Sequence, residues 1–509
     1  MRAERKKFIL IGGGALALIV IAVIVAVSFL DINSYKRRIE AAASEATGMD
    51  VSINGKLGLD FFPFGVSAND IHVGSKQGEI LSLKTLKLRV DLIPLLKKQL
   101  KITGCELVQP TVSIVEYAEG KHNIEISEMK SAEDALLRAV SSLKEIRLSQ
   151  GALIHLDKKT GERTELKEIN LAIEDLSIGG AAENFMKNVS FTGSLDCKEV
   201  RRRNLQIENV KSPMKAEKGV ISLAPLSMDV FGTRGQADAT ADMSRVDAVY
   251  RINLKVSKLD FAKLEESFGV GRVIGGKGDL EASLTVAEKG SRNLMSTMDG
   301  TLSLRGDNLL TYTMDLDKVL SSYETSQEFN LVDLGALFIG GPFVPISAVA
   351  TVVLTGYRYG DLYSQTRGGQ GVITQFISHW KIKDGVAEAT DCALATQHNR
   401  VALIGKLNLV SGRYDDVTVA LLDDKGCAKF KQGISGPFGS PQTSAVSAVE
   451  ALGGPVSKLY RKAKRMIQGS SCAVVYHGSV RQPEVAAEVH QQPQEDAQQS
   501  HRGGEQRGP

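Results

Sequence analysis

The chain has 509 residues, with 62 lysines and arginines against 59 aspartates and glutamates, a net charge of +3. Its 43% of hydrophobic residues excludes a wholly disordered chain, because so much apolar surface must be buried. The balanced charge and the single tryptophan disfavour nucleic acid as a partner, since phosphate binding needs a concentrated basic face, often with stacking aromatic rings.

The first predicted element is a membrane anchor. Residues 8–30 are 23 consecutive positions without a charge. As a helix they would cross the ~30 Å hydrocarbon core of a bilayer. The alternative is a cleaved signal peptide, whose apolar region usually runs only about 7 to 15 residues. The short basic N-terminal arm favours a cytoplasmic N-terminus, with the body of the protein on the other side of the membrane.

A short helix and then a change of period follow the anchor. Residues 34–47 are predicted to form a helix with Ser34 as its N-cap and Gly48 as its stop. From Val51 onward, apolar residues alternate with polar or small ones, as in a half-buried strand. Asn54-Gly55 suggests a hairpin, but the alternation continues through it, so a long strand with a glycine kink is the other interpretation.

The same alternation recurs along most of the chain and predicts many strands with one apolar face and one wet face. The apolar positions predicted to share a face are Val51, Ile53, Leu57, Leu59, Leu86, Leu88, Val90, Val189, Phe191, Leu195, Ile252, Leu254, Val256, Leu280, Leu284, Val286, Val401, Leu403, Leu407 and Leu409. Helical patterns are few, at residues 131–144, 261–268, 317–327 and 445–467. They are too sparse to cover the sheets. The apolar faces must therefore pack against a second sheet, curl into a barrel or trough, or hold a non-protein ligand. Periodicity alone favours stacked β-sandwiches over a ligand-holding groove.

Two segments near the C-terminus allow more than one interpretation. The uncharged residues 334–357 contain glycines and prolines, so they predict a buried helix-turn-strand or a segment dipping into a membrane, with a second full span disfavoured. A basic amphipathic helix is predicted around residues 456–467, able to lie on anionic lipid or to pack on the end of the sheet with a solvated face. Its basic residues are Lys458, Arg461, Lys462, Lys464 and Arg465.

The chain shows no pattern typical of an enzyme or a metal site. Its five cysteines form no CxxC pair, which disfavours zinc and thioredoxin-like sites. In an oxidising compartment Cys427 and Cys472 could form a disulfide, with buried unpaired thiols as the alternative. Gly271, Gly276 and Lys277 fit part of a phosphate-binding loop, but a glycine follows where Ser or Thr is needed. The sequence therefore predicts a non-enzymatic protein without a metal or cofactor.

A family resemblance rests on three stretches of sequence. Residues 47–74, TGMDVSINGKLGLDFFPFGVSANDIHVG, and 86–123, LKLRVDLIPLLKKQLKITGCELVQPTVSIVEYAEGKHN, resemble the N-terminal signature of the AsmA family. Residues 276–310, GKGDLEASLTVAEKGSRNLMSTMDGTLSLRGDNLL, are similar to the C-terminal half of that family. So is much of 380–441, including KDGVAEATDCALATQHNRVALIGKLNL and CAKFKQGISGPFGSP. Residues 147–270 fit by pattern only.

The resemblance implies a mostly β fold in which a transmembrane helix leads into a long, bent antiparallel β-sheet. This sheet would form an open apolar groove with a few short helices, in place of stacked sandwiches. It also implies an inner-membrane anchor, a periplasmic body and kinship with bridge-like lipid-transfer proteins. The expected function is non-enzymatic lipid transfer or outer-membrane biogenesis, with inner-membrane lipids and glycerophospholipids as ligands. The alternative is a chaperone-like scaffold that binds outer-membrane or other envelope assembly proteins.

The predicted divisions of the chain follow from these segments. They are 1–30 (cytoplasmic arm and anchor), 31–146 (N-terminal AsmA-like region), 147–310 (central groove), 311–440 (C-terminal AsmA-like region), 441–480 (basic helix and terminal segment) and 481–509 (disordered tail). About 25 strands at ~4.8 Å would give a groove on the order of 120 Å long.

Overall fold

A computed structural model describes residues 32–61, 63–75, 77–91, 93–94, 101–117, 123, 143–178, 186–267, 272–290, 293–312, 315–326, 331–340, 369–438, 440–444, 447–448 and 474–481. The predicted anchor at 8–30, nearly all of the helices at 131–144 and 445–467 and the tail after Arg481 lie outside these residues, and Leu143 and Lys144 are not helical. Within the described ranges, no helix is both long enough and apolar enough to cross a bilayer.

Four α-helices are present in the described ranges: α1 (Lys36–Thr47), α2 (Phe261–Ser267), α3 (Leu316–Ser326) and α4 (Leu331–Gly340). Short 3₁₀ turns lie at Ile32–Tyr35, Met186–Asn188 and Leu294–Thr297. The predicted helices at 34–47, 261–268 and 317–327 are thus confirmed to within two residues. Gly48 ends α1 in the left-handed region, with φ of 69°, as predicted. Ser34 is not the cap, because a 3₁₀ turn leads into α1 and no side chain caps it.

Twenty-two strands form one sheet. They are β1 (Asp50–Ile53), β2 (Leu57–Phe61), β3 (Phe64–Ser75), β4 (Gly78–Val90), β5 (Ile102–Glu116), β6 (Glu145–Asp157), β7 (Arg163–Ile178), β8 (Val189–Arg202), β9 (Leu205–Glu217), β10 (Val220–Val230), β11 (Thr233–Asp242), β12 (Val249–Asp260), β13 (Ile274–Gly275), β14 (Lys277–Ala287), β15 (Asp299–Thr311), β16 (Gly371–Lys383), β17 (Val386–Ala395), β18 (Arg400–Asn408), β19 (Arg413–Leu422), β20 (Ala428–Pro437), β21 (Gln442–Thr443) and β22 (Ser447–Ala448). β22 lies where a helix from 445 was predicted, so that helix does not include Ser447 and Ala448.

The sheet is a meander in which most strands lie beside the next along the chain, the exceptions being at β1 and β2, β12 to β14, and β21 and β22. The sheet crosses the predicted divisions at 146/147 and 310/311 without a break. All pairings are antiparallel except β5 with β6, which is parallel. The predicted antiparallel sheet is therefore confirmed in the described residues except at this pair. Strands that run parallel need a crossover of a dozen or more residues, and residues 117–144 provide one, whereas most of the other strands are joined by short turns.

Within the described residues, the sheet has fewer strand positions than the roughly 25 strands expected from the sequence. β1 and β2 share a position beside β3, β13 and β14 share one beside β15, and β21 and β22 share one beside β20. The twenty-two strands therefore occupy nineteen positions, which at ~4.8 Å each make a sheet of about 90 Å along its curve.

Asn54-Gly55 is a kink and not a hairpin. β1 and β2 run in the same direction and both pair antiparallel with β3, so the chain continues through Gly55 without reversing. A Cβ on Gly55 would lie 2.5 Å from the backbone oxygen of Asn69, a distance too short for a Cβ atom in a folded protein. Glycine is needed here because the two backbones approach each other across the kink.

Strand bending comes from single residues with left-handed backbone in the middle of strands. Asp70, Gln109, Gln150 and Glu168 have φ between 49° and 55° in β3, β5, β6 and β7. The side-chain amide nitrogen of Gln109 donates to the side-chain oxygen of Gln150 at 2.9 Å, so the left-handed residues of β5 and β6 lie side by side. At each left-handed residue the alternation of side chains between the two faces shifts by one position. Apolar residues therefore change from odd to even numbers, or from even to odd, and stay on the same face. Both Ala68 and Ile71, on either side of Asp70, lie in one buried cluster.

The N-terminal edge of the sheet is covered by polar groups of α1 and the turn before it. Amides of β1 and β2 that point away from β3 donate to side chains: Ile53 N to Glu40 at 2.8 Å, Val51 N to Ser44 Oγ at 3.0 Å, and Leu57 N to Asn33 Oδ1 at 2.9 Å. An exposed strand edge is a template for pairing with another chain. These contacts remove that template.

Replacing Glu40 with alanine is expected to loosen this edge. The amide of Ile53 would lose its acceptor, and the free energy of unfolding should fall by about 1 to 2 kcal/mol. Hydrogen exchange of the Ile53 amide should accelerate. Glu45→Ala on the same helix, at an exposed position, is the control and should change neither quantity. Equal effects of the two substitutions would mean that helix propensity, and not the contact, was measured.

Candidate functional site

One face of the sheet carries an unbroken row of side chains without a charge. Successive register partners link one residue from each of β3–β12 and β14–β20, and we call these residues the register row. The row consists of Val66, Leu88, Cys105, Ile146, Ile173, Gly193, Met214, Leu223, Ala239, Ile252, Leu284, Gly300, Ile382, Ala387, Leu407, Tyr414 and Gly436. Because register partners lie on the same side of a sheet, this face is continuous along the molecule.

A second apolar row runs beside the first in the N-terminal half. It passes through Ala68, Leu86, Leu107, Leu148, Leu171 and Leu195. The opposite face of the same strands is charged: Lys87 pairs with Glu106 at 3.4 Å, and Arg147 is the register partner of Glu106 on the next strand. The sheet is therefore amphipathic across its thickness.

Between β3 and β11 the apolar face lies open, and we call this part the open half. Leu86, Leu88, Ile146, Leu171 and Leu195 are only half-buried, although their neighbours are apolar. The helices of the described part of the chain make their main contacts at the ends of this half or beyond it: α1 with β1, α2 with β9, β12 and β13, and α3 and α4 with β16, β19 and β20. Two small clusters, around Ile71 and around Phe191, and single residues such as Cys197 and Ala237 are buried in this half, and Val230 of β10 belongs to the large core. The open half is thus a curved apolar trough in which α2 alone of the described helices makes such contacts, at β9.

The same face is closed between β14 and β20, and we call this part the sealed half. Leu302, Trp380 and Leu407 of the sheet have no solvent exposure, and neither do Leu334 and Phe338 of α4. These residues belong to one large core that also holds α2 and α3. Residues 334–340 of the uncharged run are therefore part of a buried helix, and the rest of that run, through 357, lies outside the described residues.

The transition between the halves falls on β12. Along this strand, on the same face, Val256 is fully buried, Leu254 is half-buried and Ile252 is 40% exposed. Val256 lies near α2, whose Phe261 and Leu264 belong to the core. Burial raises the pKa of the Glu265 carboxyl on α2 to about 8, although the amides of Val273 and Ile274 donate to it.

The outer face of the sealed half is also covered. Residues 474–481 pack over Ile377 and Ala402 on the side away from α4. The Tyr476 hydroxyl donates to Asp391 at 2.5 Å, and the Arg400 guanidinium donates to the carbonyl of Val480 at 3.0 Å. In this region both faces are dry, so the sealed half has the packing of an ordinary domain core.

The twenty predicted lining residues fall into groups that differ in solvent exposure. Half-buried are Val51, Leu59, Leu86, Leu88, Leu195, Leu254 and Val286. Buried within the N-terminal half are Ile53, Leu57, Val90, Val189 and Phe191. Sealed in the large core are Val256, Leu280, Leu284, Val401, Leu403, Leu407 and Leu409, while Ile252 is exposed. In the described residues, the predicted helices α2 and α3 together with α4, which was not among the predicted helical patterns, cover one half of the apolar face but not the other.

Sequence reasoning omitted several residues of the register row in the open half. Val66, Cys105, Ile146, Met214 and Leu223 were not among the predicted lining positions. Alternation was present around each of them, but the left-handed residues at 70, 109 and 150 change the parity within a strand. A search that allows one parity change per strand would have found the first three.

The cysteines bear on the predicted disulfide. Cys427 is disulfide-bonded, while Cys105, Cys197 and Cys392 are free. Cys472 lies outside the described residues, and the 427–472 pairing stays a prediction. Burial raises the pKa of the Cys105, Cys197 and Cys392 thiols above the usual range, so none is an activated nucleophile.

Other predicted sites lie outside the described part of the chain or have no candidate within it. The basic residues from Lys458 to Arg465 belong to the ranges without described structure. In the described ranges, no group of three or more His, Cys, Asp or Glu side chains is placed to hold a metal ion.

A long, open and amphipathic β-sheet of this kind defines a class of elongated groove proteins in which apolar side chains line one continuous face. The AsmA family model matches residues 1–203 and 187–392. The chain therefore belongs to the AsmA family. The matches include residues 147–270, which the sequence resemblance had fitted by pattern alone. A search of curated proteins found no match.

Proposed function

We propose that this protein shields the acyl chains of glycerophospholipids on its open half and thereby serves lipid transfer or outer-membrane biogenesis without catalysing a reaction. The single observation that carries the proposal is the half-buried, uncharged face of β3–β11. Each acyl methylene that leaves water contributes about 0.8 kcal/mol, so a few contacting side chains per chain give useful affinity. No catalytic group is needed for such binding.

The amphipathic sheet suits a lipid whose two ends need different surroundings. Acyl chains can lie along the trough against Leu86, Leu148 and Leu171, while the headgroup stays in water at the open seam. The charged outer face, with pairs such as Lys255 with Glu281 at 3.0 Å, keeps the protein soluble around this cargo. A face that holds lipid by apolar contact alone distinguishes poorly between headgroups.

Membership of the AsmA family supports a location in the cell envelope. We propose that residues 8–30 anchor the chain in the inner membrane and that the sheet lies in the periplasm. The helix α1 would connect the anchor to the first strand. Lipids of the inner membrane would then be at hand for the trough.

A scaffold for envelope assembly proteins is the competing function, and it would use the edges of the sheet or the basic C-terminal helix for docking. The N-terminal edge offers few free amides for strand addition, because Glu40, Ser44 and Asn33 already accept from it. That contact pattern favours lipid over protein as the ligand of the described sheet.

The proposal is tested by photocrosslinking the full-length chain, purified in detergent, with a phospholipid that carries a photoreactive group on one acyl chain. We expect crosslinked peptides from β4 to β8, and competition by unlabelled phospholipid. Crosslinks confined to residues 8–30 would contradict the proposal, because any membrane anchor contacts lipid. Crosslinks from those strands to envelope proteins, in place of lipid, in intact cells would favour the scaffold.

A further inference from the structure

The sealed half and the open half are parts of the same apolar face with different occupants. The register row runs from Leu88 in the open half to Leu407 in the sealed half without a charged residue. Leu407 belongs to the one large core that α3 and α4 of the chain itself complete, and α4 lies against Leu403 of the same strand. Over Leu88 the described chain places no helix. The helices therefore occupy the position that a ligand would take on the other half.

The fit of α4 to the sheet is close. A Cβ added to Gly335 would come within 3.1 Å of Val419 and 3.6 Å of Leu403, so glycine lets the helix lie directly on β18 and β19. Phe338 of α4 stacks on Phe376 of β16 at 5.6 Å between ring centroids. Phe261 of α2 meets the same ring edge-on at 6.1 Å. These three rings pack together where α2, α4 and β16 meet.

The polar contacts that hold α3 converge on one carboxylate. Asp317 accepts from the amides of Gln397 at 2.9 Å and His398 at 3.1 Å. It also accepts from the side chain of Asn399 at 3.0 Å and from the hydroxyl of Thr396. Four donors from the turn between β17 and β18 thus hold the first turn of α3. These hydrogen bonds keep the pKa of Asp317 below its usual range, despite the opposing effect of partial burial.

A second polar contact holds α4. The hydroxyl of Ser378 donates to the backbone carbonyl of Phe338, and the indole of Trp380 donates to Ser378 Oγ at 2.8 Å. Most of the remaining contact between the helices and the sheet is apolar, of the kind that an acyl chain would also make. Specificity for the helices over a lipid therefore comes largely from Asp317 and Ser378.

From these contacts we infer that α3 and α4 form a stopper on β16–β20, continuing the cover that α2 begins at β12, and that Asp317 is the latch that keeps the stopper docked. The inference rests on the proposed function for the nature of the ligand, but the docking of the stopper is independent of it. Lipid would enter and leave through the seam along β3–β12 and would not pass the C-terminal end of the sheet.

Two native thiols report on the stopper without any engineered label. Cys105 belongs to the register row in the open half and is half-buried. Cys392 lies beneath α4, with its sulfur 3.8 Å from Ser378 Oγ, and is 1% exposed. Both are free. Their rates of alkylation compare the two halves of one face in one molecule.

The test is alkylation of the native full-length chain with N-ethylmaleimide at alkaline pH, followed by mass spectrometry of the peptides. We expect Cys105 to react at least ~100-fold faster than Cys392 in the unaltered protein. Asp317→Ala should accelerate Cys392 at least ~10-fold and leave Cys105 unchanged, and Asn399→Ala should have a smaller effect in the same direction. Asp307→Ala, at an exposed position on β15, is the matched control and should change neither rate.

Several outcomes would overturn the stopper. Equal reactivity of Cys392 and Cys105 in the unaltered protein would show that the sealed half is open in solution. If Asp317→Ala and Asn399→Ala both keep the strand signal in circular dichroism and leave Cys392 inert, Asp317 is not the latch. Asn399→Ala decides the matter should Asp317→Ala not fold.

The photoreactive phospholipid separates this inference from the proposed function. Crosslinks to β4–β8 but none to β16–β18 support both. Crosslinks to β16–β18 as strong as those to β4–β8 would contradict the stopper and still support lipid binding. If no strand is crosslinked, while Cys392 is protected in the unaltered protein and exposed by Asp317→Ala, the lipid-binding proposal is contradicted and the stopper is supported.

Discussion

Replacing Leu195 with aspartate is expected to weaken binding of a fluorescent acyl-chain probe about 30-fold. Leu195 is half-buried on β8 and continues the second apolar row from Leu171. A carboxylate there stays hydrated and removes two or three methylene contacts, worth about 0.8 kcal/mol each. A loss of about 2 kcal/mol corresponds to roughly 30-fold in the dissociation constant. The measurement is a fluorescence titration of the full-length chain in detergent below its micellar concentration.

The neighbouring residue provides the control. Ser194 lies on the opposite face of the same strand and is exposed, so Ser194→Asp adds the same charge within one residue of the same position. Its affinity for the probe should stay within about twofold of the unaltered protein. Equal losses in the two variants would mean that charge or folding, and not the apolar face, controls binding. An unchanged affinity in Leu195→Asp would contradict the proposal that the trough binds acyl chains.

Truncating leucine to alanine should have very different costs in the two halves. Leu407 has no exposure and belongs to the large core of the sealed half, so Leu407→Ala should lower the free energy of unfolding by about 3 to 5 kcal/mol, the range for a buried leucine that leaves a cavity. Leu88, on the same register row, is half-buried, and Leu88→Ala should cost only about 1 kcal/mol. The measurement is urea denaturation followed by circular dichroism.

The comparison of Leu88→Ala with Leu407→Ala is informative because both variants truncate a leucine on the same face of the sheet. A cost for Leu88→Ala as large as that for Leu407→Ala would mean that the open half is covered in the purified protein. Stabilisation of the unaltered chain by added phospholipid, absent in Leu88→Ala, would strengthen the link between the open face and the ligand. Near-neutral results at both positions would contradict the division into two halves.

Much of the fold was predictable from local patterns. The period-2 alternation at Val401, Leu403 and Leu407 identified a strand with one apolar face, and Gly48 identified the end of α1. These features depend on residues within a few positions of each other, so the sequence displays them directly. Three short helices were located by the same reasoning.

Other features depended on residues far apart in the chain. The choice between hairpin and kink at Gly55 was decided by pairing with β3, and the parallel contact of β5 and β6 by a connection of nearly thirty residues. Parity changes at Asp70 and Gln109 hid part of the apolar row, since left-handed backbone at a non-glycine residue has no reliable local signal. The docking of Asp317 on the turn at 396–399 joins residues about eighty positions apart.

By itself, the sequence determined that this protein is a mostly β chain of the AsmA family with more apolar strand surface than its predicted helices could cover. Only the tertiary structure decided where that surface is covered and where it is open. Alternation reports which side of a strand is apolar, because that property is local. What lies against that side is set by α2, α3 and α4, whose contacts with the sheet are made across long separations in the chain. Thus Leu88 and Leu407 look alike in sequence, and one faces an open trough while the other is buried in a closed core.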